Sequence, residues 1–454
     1  MTTLSTQEAP AVTALRETLG DHICITGEQL GEIAVHWDAS GTGPRNVPLA
    51  LLRPDSVEQL SAALAICHAH GQPVVVQGGL TGLAAGASPL GGEVAISLSR
   101  FSGIEEIDAD SACMTVRAGT ILQAAQEAAH DAGFLLPVDF GARGSCQIGG
   151  AIATNAGGMR VISHGTMRQN VLGLECVLMD GTVLSHLSKA VKDNSGYNLQ
   201  QLFIGSEGTL AVITRAVLRL KPVAPVPETA LCTLPDFSAA IRLLKRAQTQ
   251  VRLAAFEVMW PDHFLYCGGR GLFATDPAMV VLIECEGGGL TDLLEQAFGD
   301  GVVEDALIAT SLAEVERFWD IRHMDHPETP LQNEISLDVS LPLGHMEAFV
   351  RDCKAALATL HPELRSYFFG HMGDGNLHIV VTMPQPDPHI VEEVDRYTYR
   401  LIRAVGGSIS AEHGIGRLKR AWLDHSRTEA EIATMRAIKK ALDPKGLLNP
   451  GKVI

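Results

Sequence analysis

Apolar positions along the chain follow two different periods. Residues 56–70 place Val57, Leu60, Leu64 and Cys67 on one face of a 3.6-residue repeat, with Ser56 before it and Gly71 after it, and so predict a capped helix. The apolar stretches 73–76 and 93–98 that follow predict strands, and residues 121–131 return to helical spacing before Gly133. Segments 171–179 and 182–184 flank Asp180-Gly181, a pair that tolerates the positive φ of a tight hairpin turn. Residues 209–220 form a long β-rich run. The pattern predicts an α+β fold whose loops hold many glycines.

Lys221-Pro-Val-Ala-Pro-Val-Pro227 interrupts the pattern. Its prolines remove strand donors and favour an extended connection, which puts a domain boundary near Val223 and predicts domains 1–222 and 223–454. A length of 454 residues suits two domains, and an apolar share of 46% excludes disorder, collagen and coiled coil as whole-chain readings. The 35 basic and 52 acidic residues leave a net charge of −17, which argues against nucleic acid or an anionic membrane surface as the main partner. The nine cysteines are scattered without a CxxC pair and read as buried hydrophobes in a reducing compartment. MTTLSTQEAP has neither the basic nor the apolar region of a secretion signal. No apolar run approaches the roughly 18 residues that span a bilayer. A cytoplasmic protein is expected, with room for peripheral attachment at the membrane.

Of the 45 glycines, 22 lie between Gly71 and Gly208 and seven more between Gly370 and Gly416. Two loops concentrate them: QGGLTGLAAG at 77–86 and GSCQIGGAIATNAGG at 144–158. Glycines let successive backbone N–H groups converge on an anion, and the interleaved Ser, Thr and Asn add donors, so a diphosphate is the natural occupant. Neither loop fits GxGxxG, which leaves a Rossmann site unsupported. The GLLNPGK string at 446–452 is not a Walker loop, because valine follows it and no helix does. A third glycine-framed stretch, FFGHMGDGNLHIV at 368–380, reads as strand, tight turn, strand, and SAEHGIG at 410–416 sets Glu412 beside His413. Two imidazoles and a carboxylate, with room for a substrate oxygen, are the pattern of an open catalytic metal site that suits Zn²⁺ or Mn²⁺.

Three strings, GSCQIGGAIATNAGG, HGTMRQNVLGLECVLMDGTVL and DNSGYNLQQLFIGSEGTLAVITRA, resemble the FAD domain of the vanillyl-alcohol-oxidase / p-cresol-methylhydroxylase (VAO/PCMH) flavoproteins. The resemblance continues to the C-terminus and is strongest to the branch of D-2-hydroxyglutarate dehydrogenases, with D-lactate dehydrogenases as near relatives. It implies a PCMH-type FAD-binding domain, a C-terminal FAD-linked oxidase substrate domain, and a last segment of about 50 residues that returns to the FAD domain. It assigns Gly78, Gly79, Thr81 and Gly82 to the FAD pyrophosphate, with Gln77, Leu80 and Gly86 of the same loop also at the cofactor. Ser145, Gly149, Gly150, Thr154, Asn155 and Gly158 are assigned to the flavin, Glu207 and Ile213 to the adenine half, and Asn449 to the cofactor as well. Leu80 stands where covalent members carry histidine, so a noncovalent flavin is expected.

The same resemblance names His371, His378 and Glu412 as ligands of a divalent metal, His413 as general base and Asn376 as a substrate contact. Arg322 matches the arginine that grips a substrate carboxylate. Ser336 stands where the 2-hydroxyglutarate branch usually carries a lysine, and His326 replaces what is often a threonine. The expected activity is oxidation of a D-2-hydroxy acid, with D-2-hydroxyglutarate leading. D-Lactate or another D-2-hydroxy acid follows, His326 substituting for the lysine in one version. The electron acceptor is left open between a quinone, an electron-transfer flavoprotein and a cytochrome, and a homodimer is allowed for. A flavin-free metal hydrolase using the His/His/Glu cluster and a flavin scaffold without turnover are the rival readings.

Overall fold

A computed structural model describes residues 9–27, 29–30, 46–324, 330–383, 385 and 387–454. The chain divides into two compact units. One comprises the described residues up to Gly158 with Gly165–Val223 and Glu412–Ile454; the other comprises Met159–His164 and Ala224–Ala411.

The first unit holds two main sheets. In one, Ala50–Leu52, Val94–Ser97 and Val74–Gln77 run parallel, with Cys24–Ile25 antiparallel at the edge. The helix Val57–His70 makes the crossover that two parallel strands require. Ser56 accepts the Gln59 N–H at its start, and Gly71 ends it at φ +66°. The other sheet is antiparallel, in the order Ile104–Asp108, Cys113–Arg117, Val212–Arg219, Val171–Val177, Val183–His186. One expectation fails here: stretch 144–158 is not loop throughout, because Ile148–Ala153 is helical. Ile148, Ala151 and Ile152 turn into the core, and a Cβ on Gly149 would lie 2.7 Å from the Ala118 Cβ, so tertiary packing overrides the poor helix propensity of the two glycines.

The C-terminal part of this unit is fastened by polar groups. Lys439 donates to the carbonyls of Thr209 and Leu448, both at 2.7 Å, and to Asp443 at 2.6 Å. Asp443 also accepts the N–H groups of Leu447 and Leu448. Burial pushes the Asp443 carboxyl up, but Lys439 and those N–H donors outweigh it and hold it below the usual carboxylate value.

The second unit is built on a seven-stranded antiparallel sheet. Its order is Asp305–Ile308, Glu228–Leu234, Met279–Glu286, Arg252–Met259, Arg365–His371, Asn376–Thr382, Ile335–Ser340. Every residue of Met279–Glu286 is buried, so that strand is covered on both faces. The hairpin expected over 368–380 is present and longer, from Arg365 to Thr382, turning through Gly375 at φ +83°. All nine cysteines are buried and unbridged.

Asp443→Ala removes three partners from one buried carboxylate and is expected to destabilise the protein by about 3 kcal/mol, a fall of roughly 6–12 °C in Tm. Because the wild-type carboxyl titrates low, its stabilisation is present at neutral pH and fades as pH falls through that lowered value, and the variant loses this part of the acid dependence. Calorimetry of both proteins at neutral and acid pH checks it.

Candidate active site

The first unit encloses a cavity of about 380 Å³. Gly78, Gly79, Leu80, Thr81, Gly82 and Gly86 line it from the first glycine loop, and Gly149, Gly150, Thr154 and Gly158 from the second. Glu207, Ile213, Asn449, Glu412 and His413 also reach its wall. Glycine is required where backbones meet: a Cβ on Gly79 would lie 2.1 Å from the Ser145 carbonyl oxygen, and one on Gly158 1.9 Å from that of Asp139.

Three residues expected at the cofactor do not line this cavity. Gln77 is buried behind it, its Nε2 donating to the Ala87 carbonyl at 3.2 Å. Ser145 has an exposed side chain and contributes its carbonyl to the packing against Gly79. Asn155, at φ +53°, accepts from the Thr166 hydroxyl and the Arg168 N–H, both at 2.9 Å, and shapes the following turn. Asn449 does line the cavity, but its amide is committed to backbone: Oδ1 accepts from Val76 and Nδ2 donates to the Glu207 carbonyl. Sequence reasoning passed over Gln147, a buried wall residue whose Oε1 has no protein partner. A buried carbonyl oxygen without a donor is a place for a ligand N–H, and its position inside GSCQIGG was the available signal.

Glu207 organises the segment that carries Glu412 and His413. Its carboxylate accepts the N–H groups of Ile415 and Gly416, both at 2.7 Å, and Gly414, at φ +80°, leaves it the space. Burial pushes its carboxyl above the ordinary range, against the two N–H donors that pull it down. Glu412 Oε1 accepts the Gly158 N–H at 3.2 Å.

In the second unit, sheet register assembles a buried polar cluster. Glu257 lies directly opposite His371, and Asp338 directly opposite His378. His371 Nδ1 is 2.9 Å from the Glu257 carboxylate, His378 Nδ1 is 4.0 Å from Asp338 Oδ1, and the two imidazole centroids are 5.2 Å apart. A carboxylate facing Nδ1 of each ring turns Nε2 away, the orientation in which histidines meet a metal. Arg322, at the end of the helix Leu312–His323, is only 2% exposed; its Nε donates to Glu257 at 2.6 Å and its guanidinium lies over the Phe369 ring. Glu257 is held below the usual carboxylate value by His371 and Arg322 in spite of its burial. Asn376 shares the strand and, at i,i+2, the face of His378; it is 3% exposed and neither its amide nitrogen nor its oxygen has a protein partner. Ser336 has an exposed side chain opposite Val380. His326 lies outside the described residues. Glu257 was not singled out by sequence; a lone carboxylate inside an apolar strand was its only signal.

The FAD linked oxidases, C-terminal domain family matches residues 224–453, and the FAD binding domain family matches residues 48–186. The D-2-hydroxyglutarate dehydrogenase of Xanthomonas citri pv. viticola is 39% identical over 89% of this chain and 89% of its own length. That of Stutzerimonas stutzeri is 35% identical over 89% and 91%, and the mitochondrial one of Bos taurus 34% identical over 97% and 82%. Among solved structures, 4-ethylphenol oxidase from Gulosibacter chungangensis aligns with a TM-score of 0.73 at 18% identity over 98% of this chain and 96% of that one. A p-cresol methylhydroxylase aligns with the same score at 15% identity and the same two coverages. The fold is that of the VAO/PCMH-type flavoproteins, and the protein is an FAD-dependent oxidoreductase. Within that class, the chain belongs to the family of the D-2-hydroxyglutarate dehydrogenases.

Gly79→Ala sets a methyl group against the Ser145 carbonyl and shifts the cavity wall. The purified variant is expected to retain less than about a tenth of the wild-type flavin, read from the ratio of absorbance near 450 nm to that at 280 nm, since a rigid backbone clash costs a kcal/mol or more.

Proposed function

We propose that the protein oxidises a D-2-hydroxy acid to the 2-oxo acid with FAD and a divalent metal, D-2-hydroxyglutarate being the leading substrate and D-lactate the second. The relatives' names support the substrate class. The observation that carries the site is the polar set of the second unit: buried His371 and half-buried His378, each with Nδ1 facing a carboxylate, and the buried, partnerless side-chain amide of Asn376. An amide buried without partners costs stability and is retained where a ligand completes it.

In this reading His371, His378 and Glu412 hold the metal, Zn²⁺ or Mn²⁺, which supplies Lewis acidity to the substrate hydroxyl. FAD, held noncovalently by the glycine-walled cavity, supplies the two-electron acceptor. Ala411, which precedes Glu412 and His413 in the chain, donates its N–H to Asp338 at 3.0 Å. His413 takes the hydroxyl proton, since imidazole has the pKa range for a general base near neutrality. Arg322 orients the substrate carboxylate through its guanidinium edge, and Asn376 meets a substrate oxygen. Electrons then leave for a quinone, an electron-transfer flavoprotein or a cytochrome.

Anaerobic flavin bleaching with D- and L-2-hydroxy acids, with and without chelator, tests the reading. Bleaching by D-acids that chelator abolishes is expected; bleaching by L-acids alone, or unaffected by chelator, sinks it. His413→Ala should slow the bleaching rate by roughly 10²–10⁴-fold at unchanged flavin content. Ser336→Lys should raise kcat/KM for D-2-hydroxyglutarate relative to D-lactate on the order of tenfold by adding a cation for the distal carboxylate. An unchanged ratio would remove Ser336 from the specificity pocket.

A further inference from the structure

We infer that Glu257 is a positioning residue shared by the metal ligand His371 and the substrate-binding Arg322, one buried carboxylate setting the geometry of both; this rests on the reading above. Glu257 is 1% exposed, in a strand whose residues from Ala254 to Met259 are otherwise apolar and buried. Its carboxylate lies 2.9 Å from His371 Nδ1 and 2.6 Å from Arg322 Nε, and Arg322 Nη2 lies beside the His371 ring, 3.4 Å from Nδ1 and 3.5 Å from Nε2. A neutral imidazole carries one proton. A carboxylate at Nδ1 draws that proton there and leaves the Nε2 lone pair for a cation.

The bond to Arg322 works in the same way on a different group. Nε–H donation fixes the plane of the guanidinium, and the Phe369 ring, 4.9 Å from Cζ, supports its face. What remains adjustable is small, so the Nη edge is aimed before a substrate carboxylate arrives. A purely structural ion pair would be an unfavourable choice in this strand, because apolar residues of the same volume stabilise a core as well or better. Asp338 provides the contrast: it faces His378, but its other oxygen accepts the Ala411 N–H in place of an arginine. Glu257 therefore links cation binding to substrate grip.

The test uses full-length, FAD-loaded protein stripped of metal by chelator, with Zn²⁺ affinity read by competition against a chromophoric chelator. Glu257→Gln keeps the volume and one acceptor but loses the charge that serves both partners. Its Zn²⁺ Kd is expected to rise 10–100-fold, the range for losing a carboxylate behind a ligating histidine, with the 450 nm absorbance unchanged. At saturating Zn²⁺, KM for the D-2-hydroxy acid should rise roughly tenfold and kcat by far less, the signature of weakened ground-state binding. Zn²⁺ bound as tightly by E257Q as by wild type overturns the inference and leaves the metal site standing. Zn²⁺ bound equally by wild type and His378→Ala overturns the metal reading itself. Should E257Q fail to fold, ¹⁵N-histidine labelling of the metal-free wild type decides: a His371 proton on Nδ1 supports the inference, and one on Nε2 refutes it.

Discussion

A charge buried inside a sheet must be answered by a partner at hydrogen-bond distance, and in the second unit that requirement governs everything around it. An unpaired carboxylate at the position of Glu257 would cost several kcal/mol in desolvation. Arg322 and His371 answer it from a helix end and a neighbouring strand, and Asp338, opposite His378, accepts the Ala411 N–H at 3.0 Å. Side chains alternate faces along a strand, so a one-residue slip of Arg365–His371 against Arg252–Met259 would leave each charge facing the wrong side. The register of the seven-stranded sheet and the chemistry of the cluster are therefore one constraint.

The first unit meets a different constraint, the closeness of backbones. Its cavity has glycine at the points where carbonyls and peptide groups take the space in which side chains would otherwise begin, as at Gly79 against Ser145 and Gly158 against Asp139. Such a wall offers N–H groups and little charge, which suits a large cofactor whose phosphates are satisfied by peptide donors. Glu207 and Glu412 are its carboxylates, and Glu207 serves the backbone. Its carboxylate is spent on the backbone of Ile415 and Gly416, so its role is to hold the segment bearing Glu412 and His413.

Much of this was legible in local pattern. The Ser56 cap, the Gly71 stop and the apolar face between them specify a helix whichever fold surrounds it, since capping and periodicity act within one or two turns. The hairpin bearing His371 and His378 was readable for the same reason: its turn glycine and its two apolar strands are contiguous in sequence. The glycine loops announced a cofactor, while the partners of their side chains were not legible in sequence. Gln77, Ser145 and Asn155 have the right chemistry for a ligand and are used by the protein's own backbone and turns, while Gln147, in the same string, is the one left with a bare acceptor.

By itself the sequence determined the elements with local causes, the two glycine-rich regions and the family to which they belong. Tertiary structure alone decided which buried groups face one another. Glu257 and His371 are 114 residues apart, and no period or spacing joins them. They meet because two strands pair in one register, and that register is chosen by the packing of the whole sheet and by the cost of leaving a buried charge unanswered.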